Sequence, residues 1–254
     1  MTETITEVID NGGGRFLIQI TKTMIAKPVL VSTWGPPKKY FGAFIDTCKR
    51  QGLEPQNADP DDWGSDDYRI IPWWKKSAAQ ARFVKEHAGE FTHFMFTDSY
   101  DVVFAAGWDE ILQKFEAFNS PIVFGAECYC WPDINQAGFY PATHHRARYI
   151  NAGFWMATAE AAEVFTKDLA EIASQPHAKC DQGIVADMFL SKKHPIVLDT
   201  ACSILFCCNL DSRDYLDLTL PGTRPRTKDT GETPCIFHGN GASGLEEICW
   251  KIAP

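Results

Sequence analysis

In the stretch FMFTDSYDVVFA, Phe94 to Ala105, two carboxylates, Asp98 and Asp101, leave the end of an apolar run. Like charges so close repel unless a cation lies between them, and Mn²⁺ or Mg²⁺ commonly takes one or two carboxylates together with substrate phosphates. An isolated pair at this spacing is, by itself, a turn cap beside a solvated acid. Its company changes the reading. FHGNG, residues 237–241, sets His238 and Asn240 at the end of a second apolar run, and an imidazole is a good third ligand for Mn²⁺. Gly239 and Gly241 let backbone amides approach a phosphate. Tyr100, between the two acids, adds a flat ring and a hydroxyl, and Trp63 stands in the acidic loop NADPDDWGSDD. Taken singly, His238 reads as a structural histidine, Trp63 as a packed loop aromatic and the glycines as turn residues.

The elements that must hold these residues alternate. KPVLVSTW is a short β-rich run, PPKKYFGAFIDTCKRQG has helical spacing with a proline start and a glycine stop, and LEPQN reads as a second strand. A helix over WKKSAAQARFVKEHAG leads into the strand THFMFTD. Further strands are predicted at PIVFGAE, YINAGFWMAT, PIVLDT and PCIFHGN, and helices at WDEILQKFEAF, AEAAEVFTKDLAEIAS, DQGIVADMFLSK and SGLEEICWKIA. Such alternation predicts an α/β fold with a mostly parallel sheet flanked by helices, in which ligands bind beyond the carboxyl ends of strands. Asp98 and Asp101 fall at that edge. Residues 1–27, with Gly12 to Gly14 and the strand-like RFLIQI, read as an N-terminal appendage or edge hairpin ahead of a single domain over 28–254. TLPGTRPRTKDTGETP, residues 219–234, is the one long loop and a lid or disorder candidate.

Composition excludes other classes. The 254 residues are 45% apolar, enough for a packed core, and no apolar run approaches the roughly 20 residues that span a bilayer. The polar, acidic start lacks a secretory signal's pattern, so no membrane partner and a cytoplasmic location are expected, the host cytoplasm if the source is viral. Nine cysteines without a CxxC pair read as reduced thiols rather than a disulfide framework or a zinc site. A net charge of −9 disfavours indiscriminate nucleic-acid binding, although Arg146, Arg148, Arg224 and Arg226 form local basic patches.

FTDSYDVVFA, AECYCWPD, YINAGF, DQ, VLD and FHGNG occur in the order and approximate spacing seen in the glycosyltransferase domain of procollagen lysyl hydroxylases and related collagen galactosyltransferase-like enzymes. The resemblance covers roughly residues 28 to 252. It implies a GT-A type, Rossmann-like fold, dependence on Mn²⁺ with Mg²⁺ as the alternative, and UDP-glucose or UDP-galactose as donor. Under it, Asp98, Asp101 and His238 would ligate the metal, and Tyr100 and Trp63 would hold uracil and ribose. Asn240, Gly241 and Lys76 would lie near the diphosphate, Lys76 being equally readable as a solvated helix residue. Glu127 and Trp131 match a loop bordering sugar and acceptor, and Asn151, Asp181 and Gln182 match positions around the donor sugar. Asp181 also reads as a helix N-cap.

The sequence departs from the family pattern in AKCDQ, where Cys180 replaces an acid, in IPWWKK, where the family has a glycine-rich segment, and in HGNGAS, which lacks a following lysine. With no dioxygenase half, a free-standing microbial or viral transferase is expected. Its acceptor would be a hydroxyl on a modified polymer, either a hydroxylysine-type protein or hydroxymethylpyrimidine DNA. Either Asp181 or Glu127 could serve as general base. A UDP-sugar hydrolase and an inactive nucleotide-sugar-binding module are the rival readings, and the oligomeric state is left open.

Overall fold

The computed structural model describes residues 2–10, 15–23, 26–59, 73–176, 178–209, 214–218, 224–241 and 244–252. Near the N-terminus, β1 (Thr2–Asp10) and β2 (Arg15–Thr23) pair antiparallel as a two-stranded sheet of their own. The RFLIQI run anticipated the second of these strands, whereas the polar TETITEVID carried no comparable signal.

The central sheet is built from β3 (Lys27–Ser32), β4 (Pro55–Asn57), β5 (Phe91–Thr97), β7 (Ile122–Glu127), β8 (Tyr149–Thr158) and β9 (Ile196–Asp199), in the order β4-β3-β5-β8-β7-β9. All of its neighbours pair parallel except at β8, which runs antiparallel to both β5 and β7. This is the mostly parallel sheet expected, with one reversed strand that the alternation of elements did not disclose. The reversal matters, because it brings the start of β8 to the edge where its neighbours end: Tyr149 pairs with Glu127, and Asn151 with Gly125.

Side chains that alternate along these strands feed a core on each face. On one face Phe94, Phe96, Phe124 and Trp155 pack with α2 (Trp73–Glu86), α4 (Ala159–Ala173) and α5 (Asp181–Leu190) through Phe83, Phe165 and Ile184. On the other, Met95, Val123, Phe154 and Met156 pack with α1 (Phe41–Arg50) and α3 (Trp108–Ala117) through Phe44, Cys48, Ile111 and Phe115. Each large apolar side chain so buried contributes roughly 1.5–3 kcal/mol. Helix α1 shows how closely local sequence sets an end. Gly52 takes φ +66 just past it, Gly52 N donates to Lys49 O and Leu53 N to Cys48 O, and the buried Leu53 completes a Schellman-type stop.

A second, three-stranded sheet links the two motifs read first. β6 (Val102–Phe104) pairs antiparallel with β13 (Ile236–His238), which pairs parallel with β10 (Leu205–Cys207). β11 (Leu216–Asp217) and β12 (Arg226–Thr227) form a short ladder, and α6 (Glu246–Ile252) lies near the C-terminus. The disorder expectation is corrected for the described part of residues 219–234. Arg224 holds both oxygens of Glu110 at 2.6 and 2.8 Å, and β12 is paired, so this part is tied down.

Candidate functional site

The ligand candidates meet at the junction of the two sheets. Asp98 follows β5, its N–H donating to Gly153 O at 2.9 Å, while Asp101 precedes β6 and its carbonyl accepts from Gly239 N at 2.7 Å. His238 ends β13, opposite Val102 in the ladder. Its Nε2 lies 3.4 Å from Asp101 Oδ1 and 3.7 Å from Asp98 Oδ2, and one ligand atom from each of the three residues falls within 4.8 Å of the others. Among the described residues this is the cluster able to hold a metal ion. Two carboxylates and one imidazole make a mixed oxygen and nitrogen donor set that suits a small divalent cation rather than Ca²⁺, which takes more oxygen ligands at longer distances. The backbone is cut to fit the ring, since a Cβ on Gly153 would lie 2.2 Å from His238 Cε1. The residues present therefore fit a divalent cation.

In the metal-free protein the three groups titrate against one another. Burial works to lower the pKa of His238, but Asp101 and Asp98 carry it above the ordinary histidine value. Burial alone would raise Asp101, yet His238 holds it below the usual carboxylate range. Asp98 is pushed up by burial despite the opposing charge of Lys76.

Lys76 is no solvated helix residue. It is 5% exposed, and its Nζ lies 2.7 Å from Asp98 Oδ1 and 2.7 Å from Asp181 Oδ2. One turn further along α2, Gln80 Oε1 accepts from the buried Trp155 indole N–H at 3.0 Å, which fixes the face of α2 that points Lys76 at the cluster. Burial opposes its charge, but the two carboxylates keep it protonated and its pKa raised.

Glu127 ends β7 as the hub of the neighbouring shell. Its Oε1 accepts from Asn151 Nδ2 at 2.9 Å and Gln182 Nε2 at 2.7 Å, and its Oε2 from Asn209 Nδ2 at 2.9 Å and Asn240 Nδ2 at 3.0 Å. Burial pushes its pKa up, while the carboxamide donors Asn151, Gln182 and Asn240 favour the anion. Gln182 also receives Ala152 N and donates to Trp131 O, tying α5 to β8 and to the loop after β7. Asn151 Oδ1 accepts from Gly153 N at 2.9 Å and lies 3.1 Å from His238 Nδ1. With both oxygens engaged by carboxamides, Glu127 is better suited to positioning than to taking a proton.

The other candidates fall as follows. Tyr100 bends back on the β3 end: its hydroxyl accepts from Gly35 N at 2.8 Å, and its ring packs by Phe41. Gly241 takes φ +65, with Asn209 Cβ the nearest atom to where its side chain would start. Trp131 is half exposed, next to a 3-10 helix (Ile134–Phe139) on which Ile134 and Phe139 are 70% and 76% exposed. Trp63 lies outside the described residues. The N-cap reading of Asp181 is corrected: Asp181 is the first residue of α5, and Cys180 stands at the cap with no side-chain hydrogen bond. Asp181 Oδ1 instead receives Gln182 N at 2.8 Å. Asp199, from the VLD run, is buried away from the cluster and receives the N–H groups of Ser203, Ile204 and Leu205. The arginines considered for phosphates have partners: Arg146 lies 3.2 Å over the Tyr215 ring, Arg148 donates to Tyr140 O and Pro141 O, Arg224 binds Glu110, and Arg226 donates to Gly231 O.

Sequence reasoning missed Asn209, Gly153 and Gln80. Asn209 carries the faint signal of a polar residue closing the buried run LFCC, as Asp98 closes FMFT. Gly153 lay inside the quoted YINAGF, but only the fold reveals that its missing Cβ makes room for a ring distant in sequence.

The mostly parallel sheet with its reversed β8, and the Asp-Asp-His cluster at its edge, belong to a chain that the comparisons with known proteins place among glycosyltransferases of GT-A type. In fold the chain is similar to a crystal structure of a glycosyltransferase involved in glycosylation of the major capsid of PBCV-1, with TM-score 0.51 and 13% identity over 87% of this chain and 97% of that one. Residues 79–247 match the family model described as the PLOD GT domain, and the chain belongs to that family. It is 32% identical over 163 residues to procollagen-lysine,2-oxoglutarate 5-dioxygenase of Drosophila melanogaster, covering 61% of this chain and 22% of that protein. It is 30% identical over 185 residues to the multifunctional procollagen lysine hydroxylase and glycosyltransferase LH3 of Rattus norvegicus, covering 69% of this chain and 23% of that one. The chain thus spans less than a quarter of the length of these relatives.

Proposed function

We propose that this chain moves a hexose from UDP-glucose or UDP-galactose to the hydroxyl of a hydroxylysine-type residue in a polypeptide, with Mn²⁺ bound by Asp98, Asp101 and His238. The observation that carries the reading is the convergence of those three side chains at the sheet edge, with Lys76 and Asp181 against them. When bound, the cation supplies charge neutralisation at the diphosphate as the sugar departs. The chain's own residues do the rest. Lys76, itself buried, keeps Asp98 and Asp181 paired beside the cluster. Asp181, held by Lys76 and the Gln182 N–H at the start of α5, would line the sugar side, and Tyr100 and the HGNG turn would form the nucleotide side.

A polypeptide acceptor is favoured over modified DNA by two features. The arginines that might have gripped phosphates are engaged within the chain. The rim beside Trp131 is apolar, formed by exposed Tyr129, Ile134 and Phe139. We place its action in the cytoplasm, where its nine free cysteines would stay reduced.

The test is release of UDP from a panel of UDP-sugars with Mn²⁺, with and without a hydroxylysine peptide and hydroxymethylated DNA. Peptide-dependent release is the expected result. Release that requires the DNA would replace the acceptor; release indifferent to either would make the protein a UDP-sugar hydrolase, and binding without turnover an inactive module.

A further inference from the structure

We infer that Glu127 and Asn151 form a positioning relay that presents the bare Nε2 of His238 to the cation. The inference rests on the metal-dependent reading above, and it follows from which groups can only donate and which can only accept. A carboxylate only accepts, so the Asn151 atom 2.9 Å from Glu127 Oε1 is the amide nitrogen. A backbone N–H only donates, so the atom 2.9 Å from Gly153 N is the amide oxygen. That oxygen also lies 3.1 Å from His238 Nδ1 and can only accept there. Nδ1 must therefore carry a proton, and Nε2, facing Asp98 and Asp101, is the nitrogen left to ligate a metal.

The relay opposes a competing arrangement. An imidazole facing two carboxylates favours a proton on the near nitrogen, Nε2, which would bar a cation. Asn151 holds the ring's proton on the far side instead, so that metal binding displaces at most the Nε2 proton and leaves a neutral ring already turned toward the site. Glu127 supplies the fixed end. Gln182, Asn209 and Asn240 fill its remaining acceptor positions, so the carboxylate cannot swing away from Asn151, and protonating it would aim a donor at a donor. Asn151 is at the same time locked by its own strand through Gly153, whose missing side chain leaves room for the ring.

Two measurements test the relay without turnover. Nitrogen-15 NMR of His238 in the Mg²⁺-loaded wild-type protein is expected to show a neutral ring protonated at Nδ1; protonation at Nε2 would overturn the proposal without any variant having to fold. Calorimetric titration with Mn²⁺ alone is expected to show affinity falling by about 10–100-fold in Asn151→Ala, the range for loss of a group that orients a metal-binding histidine. Glu110→Gln, which loosens the remote pair with Arg224, should lower stability while its Mn²⁺ affinity stays near wild type. Equal Mn²⁺ affinity in wild type and Asn151→Ala would sink the relay. Absence of sugar transfer with the expected tautomer and affinities would sink the transferase reading and leave the relay standing.

Discussion

Lys76 Nζ, buried, and Asp98 Oδ1, on a partly exposed carboxylate, are 2.7 Å apart, which leaves the other carboxylate oxygen of Asp98 turned toward His238. One acid thus serves an internal cation and a prospective external one through different oxygens. Asp181 shares the same ammonium, so removing it would strand two carboxylates at once.

Lys76→Met is accordingly expected to destabilise the metal-free protein by about 3–5 kcal/mol, the cost of breaking a buried ion pair from one side. Urea unfolding measures this directly. Mn²⁺ should raise the Tm of the variant by more than that of the wild type, because the bound ion replaces part of the lost charge; an equal or smaller rise would mean that Lys76 does not compensate the metal site.

Asp101→Ala should abolish Mn²⁺-dependent UDP binding while sparing the fold. The contact that holds the two motifs together uses the backbone carbonyl of Asp101, which survives the substitution. Calorimetry with UDP and Mn²⁺ decides it, and unchanged affinity would take Asp101 out of the site.

Gly153→Ala should cost about 1–3 kcal/mol, the usual range for overpacking a filled interior, and weaken Mn²⁺ binding as well. The new methyl would meet a ring only 3% exposed, with no space into which to retreat. Chemical denaturation and Mn²⁺ titration of the same sample check both halves; loss of stability with undiminished Mn²⁺ affinity would show that the ring is not displaced.

Hydrogen bonding from Arg224, aided by Lys114, holds Glu110 down at about 2, against an ordinary 4.5. A carboxylate with a depressed pKa in the folded state stabilises the protein fully above the unfolded value and loses that contribution as pH falls through the folded one. Thermal unfolding of Glu110→Gln against wild type should show a difference that is constant above about pH 5 and shrinks toward pH 2. A difference that persists unchanged at pH 2 would contradict the pairing.

Cys180→Ser should stabilise the protein by about 1 kcal/mol, since the cap of α5 has suitable extended backbone and only a weakly accepting thiol facing the first-turn N–H groups. The midpoint of urea unfolding reports it, and no gain would mean that the thiol already fills the role.

Much of this molecule was legible in its sequence because its main strands are long enough to carry a pattern. YINAGFWMAT was read over the same residues that form β8, and THFMFTD led to the correct edge of the sheet. The direction of β8 was not legible, since strand polarity leaves no mark in the composition of a strand buried on both faces. Nor were β6 and β10, whose three residues each are too few for periodicity. DSYD and HGNG together pointed to the convergence of Asp98, Asp101 and His238, whereas the burial of Lys76 depends on Trp155 and Gln80 orienting a helix, a tertiary effect that helical spacing cannot register.

The pairing of Val102 with His238 places the HGNG ligand and the DSYD loop on a single ladder, although the two segments are far apart along the chain. Folding itself therefore meets the entropic cost of bringing these three candidate ligands together. A cation entering such a site has little chain left to order, so its binding should bring only a small heat-capacity change and should proceed at a rate set by shedding water from the ion rather than by rearrangement of the protein.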